Sequence, residues 1–176
     1  MDFLELAKKR YSCKKFDTSK KVEKDKLDKI LEAGQVAPTA KNSQPQRIYV
    51  MESEEALKLV DSLTPCRYGA PVALVVAYST DEEFTYPGGK YRSGMEDASI
   101  VATHMMLMAA SLGIDSCWLN FFDPDKAAEA LNLPDNEKVV LIMDLGYAAE
   151  GASPLPNHEK TKTMDELVSY RYTRER

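Results

Sequence analysis

The chain has 176 residues, 44% hydrophobic and 29% charged, the size and composition of one globular domain able to bury about two-thirds of its unfolded surface. Its formal net charge of -5 argues against general binding to nucleic acid or to an anionic membrane, since both require a basic surface. Three cysteines (Cys13, Cys66, Cys117) without CxxC spacing and two histidines (His104, His158) form no metal-site pattern, and the odd cysteine count fits a reducing cytoplasm.

Asp2 to Lys9 is expected to form a first helix. Its apolar residues Phe3, Leu4, Leu6 and Ala7 are spaced as an amphipathic stripe and not as the basic-then-apolar run of a secretory signal, so no leader is expected. Arg10 to Phe16 alternates in character and ends that helix. A second helix is predicted over about Glu23 to Val36, with Leu27, Ile30, Leu31 and Ala33 on one face and Gly34 and Pro38 bracketing its end. Arg47 to Met51 reads as a short strand. Ser53-Glu54-Glu55 caps a helix carrying Ala56, Leu57, Val60 and Leu63, and Ala73 to Tyr78 reads as a strand covered on both faces. Between Thr80 and Arg92 periodicity disappears and Pro87, Gly88 and Gly89 mark a surface loop.

From Ile100 to Leu112 only Thr103, His104 and Ser111 interrupt an apolar run, so the helix that follows Ser93 should be buried on every side. The run is too short and polar-flanked to span a bilayer, and it is more apolar surface than a monomer can hide, which predicts a homodimer. Gly113 should stop the helix, and Ser116 to Phe122 reads as an aromatic-rich strand. Asp123-Pro124 opens a short helix to Leu131, Val139 to Leu145 is a further buried strand, and Gly151 to His158 is extended. Thr163 to Glu166 makes a capping box for a last helix through Val168. The sum is a mixed sheet flanked by helices on both faces.

Three stretches could carry chemistry. If the chain is extended after the first helix, Arg10, Ser12 and Lys14 point the same way and converge on one anion, such as a phosphate; taken alone they also describe a solvated basic turn. Ala37-Pro38-Thr39-Ala40-Lys41-Asn42-Ser43-Gln44-Pro45 is dense in amides and hydroxyls that could match the donor and acceptor edge of a flat heterocycle, or form an ordinary polar connection. Cys117-Trp118-Leu119-Asn120 could wall a ligand ring or be plain core, and Lys160 and Lys162 could add cations for an anion. No GxGxxG, GxxxxGK[ST] or GxSxG is present. Asp97 beside Glu96 reads as a helix N-terminal acid, His104 as a satisfied core or interface histidine, and Cys117 as an inert core thiol.

In this order the stretches resemble the nitroreductase-like FMN-dependent oxidoreductase family. Arg10-Tyr11-Ser12-Cys13-Lys14 is similar to its Arg-x-Ser-x-Arg/Lys phosphate motif and Ala37 to Pro45 to its Ala-Pro-Ser/Thr-x-x-Asn-x-Gln-Pro loop. The helix from Gly94 with Gly113 to Trp118 is similar to its dimer helix and following strand, and Leu133-Pro134 with Leu145-Gly146-Tyr147 to its closing signature. The resemblance spans almost the whole chain, 1–176, as a single domain. It implies an α+β nitroreductase-like fold, a central mixed and mainly antiparallel sheet flanked by helices, with the long buried helix at the interface of a homodimer holding two FMN molecules. It further implies that Arg10, Tyr11, Ser12 and Lys14 hold the phosphate and nearby flavin edge, and that Pro38, Thr39, Ala40 and Lys41 line the ring. Asn42 and Gln44 reach the pocket from the partner or the same loop, Leu119 and Asn120 offer backbone N–H groups near the reactive flavin nitrogen, and Lys160 and Lys162 are basic phosphate ligands.

No catalytic side chain is implied, because hydride transfer is the flavin's chemistry: NAD(P)H donates and an electron-poor acceptor such as a nitroaromatic or quinone receives, in a ping-pong scheme. The alternative is an FMN-binding module without turnover, a sensor or store. Gln46, Asn120 and Ala148 depart from residues frequent in the family, and the first two adjoin the expected flavin. Flavin fragmentation or reductive dehalogenation would need a larger lid than Thr80 to Arg92 supplies.

Overall fold

The computed structural model describes residues 2–171. The elements run α1 (Phe3–Lys9), α2 (Lys24–Gln35), β1 (Gln46–Met51), α3 (Glu54–Leu63), β2 (Val72–Ser79), α4 (Gly94–Ser111), β3 (Asp115–Leu119), α5 (Pro124–Ala130), β4 (Glu137–Gly146) and α6 (Met164–Leu167). The four strands form one sheet in the order β1-β2-β4-β3, and every neighbouring pair is antiparallel. The expected mixed character reduces to a single parallel bridge between Ser12 and Ser116, where the arm after α1 lies along the outer edge of β3.

Strand alternation divides β2 between two cores. Val72, Leu74 and Val76 face α2 and α4 together with Leu141, Met143 and Leu145, while Ala73, Val75 and Ala77 face the opposite side with Met51, Val60, Ala127 and Ile142. Both faces are therefore apolar, as the continuous run in the sequence requires. Local chemistry marks the helix ends. The Ser53 hydroxyl accepts the Ala56 N–H, and Asp123 accepts from Asp125 and Lys126 ahead of Pro124. At the end of α4, Gly113 takes a left-handed φ of 75°, which lets Ile114 N–H reach the Ala109 carbonyl at 2.9 Å and Gly113 N–H the Ala110 carbonyl at 3.2 Å, a Schellman closure.

As expected of a helix with more apolar surface than one chain can hide, α4 is not buried all round: Ala98, Val101, Ala102, Met105 and Ala109 are buried against the sheet and α2, but Ile100, Met106, Leu107 and Met108 are only partly covered, and Met95 and His104 are exposed. One expectation needs correction. The strand expected over Ser116 to Phe122 ends at Leu119, because Asn120 leaves the ladder to donate its side-chain amide to the Val140 carbonyl at 2.9 Å, and Phe121 is 74% exposed. Among the described residues no helix is long and apolar enough to cross a membrane.

Met105 lies fully buried between α4 and α2, packed where Gly34 leaves no side chain in the way. Met105→Ala should lower the unfolding free energy by about 2–5 kcal/mol, the usual loss for a truncated core side chain. Denaturant unfolding checks this, and a loss below about 1 kcal/mol would contradict the packing.

Candidate functional site

Arg10 leaves α1 in an extended conformation, and the arm it begins is pinned to β3 by the Cys13 N–H donating to the Ser116 carbonyl at 2.9 Å. Alternation turns Cys13 into the core and leaves Ser12 and Lys14 exposed, with Arg10 and Tyr11 half-buried. Arg10 and Tyr11 line a cleft of about 220 Å³ with Leu6, Ala110, Ile114 and Ser116. Among the described residues neither Arg10 nor Lys14 pairs with a carboxylate, whereas Arg47, Arg67 and Arg92 all do. A half-buried guanidinium without a counter-ion is suited to an incoming anion. The Lys14 Nζ stands 5.8 Å from the centre of the Tyr68 ring, and burial pushes the Tyr11 phenol up to about 12, so it stays neutral. His158 packs edge-on to Tyr11 at 6.3 Å with its Nε2 3.3 Å from the Lys8 carbonyl oxygen, and Lys160 and Lys162, further along the same segment, are exposed.

The second stretch is a tight turn. Ala40–Asn42 form one 3-10 turn, closed by Asn42 N–H to the Thr39 carbonyl at 2.9 Å and Gln44 N–H to the Thr39 hydroxyl at 3.0 Å. Lys41, Asn42 and Gln44 have φ of 52°, 56° and 51°, left-handed values that cost on the order of 1 kcal/mol each for side chains bearing a Cβ. Such a turn persists only when its surroundings impose it. It presents Pro38, Lys41, Asn42 and Gln44 to solvent, with Thr39 and Ala40 half-covered. The Lys41 ammonium sits 4.7 Å from the centre of the Phe84 ring, so the segment between β2 and α4 packs on the turn.

At the end of β3, Leu119 is buried and Asn120 exposed. The Asn120 side chain is engaged at both ends, accepting from the Trp118 indole N–H at 2.6 Å and donating to Val140, which settles Trp118 as a brace for this corner. Behind the strand, burial pushes the Cys117 thiol up to about 12, an inert thiol as the sequence suggests. Opposite Cys117 in the ladder is Asp144, fully buried, with neither carboxyl oxygen hydrogen-bonded among the described residues. Burial pushes its carboxyl up to about 9 despite the opposing pull of Arg67, so it is protonated at neutral pH.

The structure thus brings Arg10 and Tyr11 to the start of β3, with Ser12 bridged to Ser116 and the Lys14 ammonium beside Tyr68; Leu119 and Asn120 lie at the other end of that strand, and the 38–44 turn is elsewhere again. The turn is held at the first residues of α4, where Asp97 accepts the Ala40 N–H at 2.8 Å, whereas the Arg10 cleft is lined by Ala110 at the other end. Thirteen residues of helix separate Asp97 from Ala110, roughly 20 Å at 1.5 Å per residue. A larger cleft of about 790 Å³, between α3 and residues 67–72, contains none of these residues, and its Arg67 and Lys58 are already paired with Asp61 and Glu54. Sequence reasoning missed Asp97, whose side chain is buried and tied to the turn; the available signal was the i,i+4 spacing to Ser93 at a helix start.

The Nitroreductase family model matches residues 7–66 and 63–147. A nitroreductase family protein of Clostridium difficile 630 has the same fold with a TM-score of 0.90 and 40% identity, covering 98% of this chain and 100% of that one. A protein of Methanothermobacter thermautotrophicus, provisionally named NADH dehydrogenase/NAD(P)H nitroreductase, is 30% identical over 159 residues, 85% of this chain and 79% of its own. A protein of Exiguobacterium sibiricum 255-15 solved in complex with FMN superposes with a TM-score of 0.83 at 20% identity, over 97% of this chain and 98% of that one. The chain belongs to the nitroreductase family.

The raised Asp144 carboxyl has a measurable consequence. The native state keeps a proton that the unfolded chain releases near pH 4, so its contribution to stability is complete below about pH 4 and is lost as pH rises toward about 9. Between pH 5 and 8 the unfolding free energy of wild type should therefore fall relative to Asp144→Asn by about 1.4 kcal/mol per pH unit. Parallel pH profiles for the two proteins would contradict a buried neutral carboxyl.

Proposed function

We propose that the chain is an FMN-dependent NAD(P)H oxidoreductase that reduces small electron-poor acceptors such as nitroaromatics or quinones, and that it works as a homodimer. The observation that supports this reading is the separation of two chemically complementary stretches, one cationic and one amide-rich, attached at opposite ends of α4. One chain holds each of them once. Two copies packed through the partly covered face of α4, with the helices running oppositely, bring the cationic arm of one beside the 38–44 turn of the other and hide Ile100, Met106 and Met108.

The residues suit FMN. Arg10 supplies a counter-ion-free fork and Ser12 a hydroxyl for a phosphate, and Lys160 and Lys162, just beyond His158, would add cations for it. Lys14 adds a positive charge to the same arm, beside Tyr68, and Leu119 and Asn120 would offer backbone N–H groups to the ring. Pro38, Thr39, Ala40 and Lys41 form the opposing wall, and the amides of Asn42 and Gln44 can both donate and accept along a heterocyclic edge. When bound, FMN supplies the hydride chemistry, which is why the chain needs no acid and base pair of its own. The three free thiols suit a reducing cytoplasm.

Purified protein should be yellow and bleach under NADH or NADPH without oxygen, then recover its colour with a nitroaromatic or quinone. Flavin retained without bleaching would mark a binding module instead, and protein that takes up no flavin would sink the assignment. Arg10→Ala should weaken FMN retention by roughly 1.5 to 3 kcal/mol, the scale of a charge-assisted hydrogen bond. Unchanged affinity in a fluorescence titration would remove Arg10 from the phosphate site.

A further inference from the structure

We infer that Asp97 is the positioning residue that presets the 38–44 turn and the wall beside it for the flavin, an inference that rests on the assignment of that turn to the FMN site. Asp97 is 1% exposed, and among the described residues no cation pairs with it. A buried carboxylate without a counter-ion is costly, so its retention has to be explained by what its oxygens hold. One oxygen accepts the Ala40 N–H at 2.8 Å and the other the Ser93 hydroxyl at 2.7 Å. Ser93, fully buried, accepts the Phe84 N–H at 3.0 Å on its hydroxyl and donates its own N–H to the Phe84 carbonyl at 2.9 Å.

One side chain in the first turn of α4 therefore locks two separate segments. Ala40 is the residue from which the chain enters the left-handed Lys41 and Asn42, and Phe84 is the residue whose ring lies under the Lys41 ammonium. The strained turn and the aromatic wall share a rigid helical anchor, which positions both before any ligand arrives and lowers the ordering cost of binding. The positive end of α4 favours the negative charge at this position. Asn in place of Asp97 can keep the geometry in one orientation, with its carbonyl on Ala40 and its amide on Ser93, whereas Ala leaves both donors without a partner.

The test compares wild type, Asp97→Ala, Asp97→Asn and Ser93→Ala as full-length purified proteins, by hydrogen exchange of the peptide covering residues 38–45 and by FMN titration. Asp97→Ala should speed exchange in that peptide while the α2 and β4 peptides stay protected, weaken FMN binding about tenfold, the scale of one buried hydrogen bond to a charged group, and shift the bound flavin's visible spectrum. Asp97→Asn should restore all three. Ser93→Ala should loosen residues 81–86 more than the turn, and this variant serves where Asp97→Ala does not fold. Exchange in the 38–45 peptide that matches wild type in Asp97→Ala, or in Asp97→Asn and Ser93→Ala alike where that variant does not fold, would overturn the positioning role. Faster exchange with unaltered FMN affinity would overturn it through its premise, showing that the turn is not part of the flavin site. Wild type that binds no FMN would fail the functional reading while leaving the exchange result standing.

Discussion

The helix α4 is the constraint on which the rest of the molecule depends. Its inner face, Ala98, Val101, Ala102, Met105 and Ala109, fills the space between the sheet and α2, and its two large side chains, Val101 and Met105, at about 1.5–3 kcal/mol each, contribute an amount comparable with the lower end of an ordinary domain's stability. The small residues among them let the sheet and α2 approach closely. Everything with a candidate function is attached to one of its ends: the 38–44 turn and the Phe84 segment at the beginning through Asp97 and Ser93, the Arg10 cleft and β3 at the close through Ala110 and Gly113. Because the helix is rigid, the spacing between the two ends is fixed.

That spacing has a functional consequence. In the proposed dimer, a site needing both a phosphate cradle and a ring edge would be completed twice, once at each end of two α4 helices packed in opposite directions. The incompletely covered residues Ile100, Met106, Leu107 and Met108 would be covered by a second helix in that dimer, and the same association would assemble the proposed ligand site.

Much of the fold was legible in the residues. The even and odd alternation of Val72 to Ala77, the Asp123-Pro124 and Ser53 caps, and Gly113 after an apolar helix each specify local structure through a short-range physical rule, and each element formed where the rule put it. What failed were inferences about surroundings. The strand over Ser116 to Phe122 stops at Leu119 because Asn120 finds a partner twenty residues away in Val140, which no local pattern announces. The antiparallel character of all four strands depends on connections and not on the strands' own composition.

The candidate site is visible in the sequence as a set of residues and not as an arrangement. The distance of the Arg10 cleft from the 38–44 turn is set by the length of α4 and is visible only in three dimensions. The sequence shows Asp97 only as a helix N-terminal acid favoured by the dipole, because Ala40, which it holds directly, and Phe84, which it holds through Ser93, lie far from it along the chain. The most direct test of the account is the native mass of the flavin-loaded protein, which should be that of two chains carrying two FMN molecules, with flavin lost as the chains dissociate on dilution. A monomer that binds one FMN at full stoichiometry would contradict it.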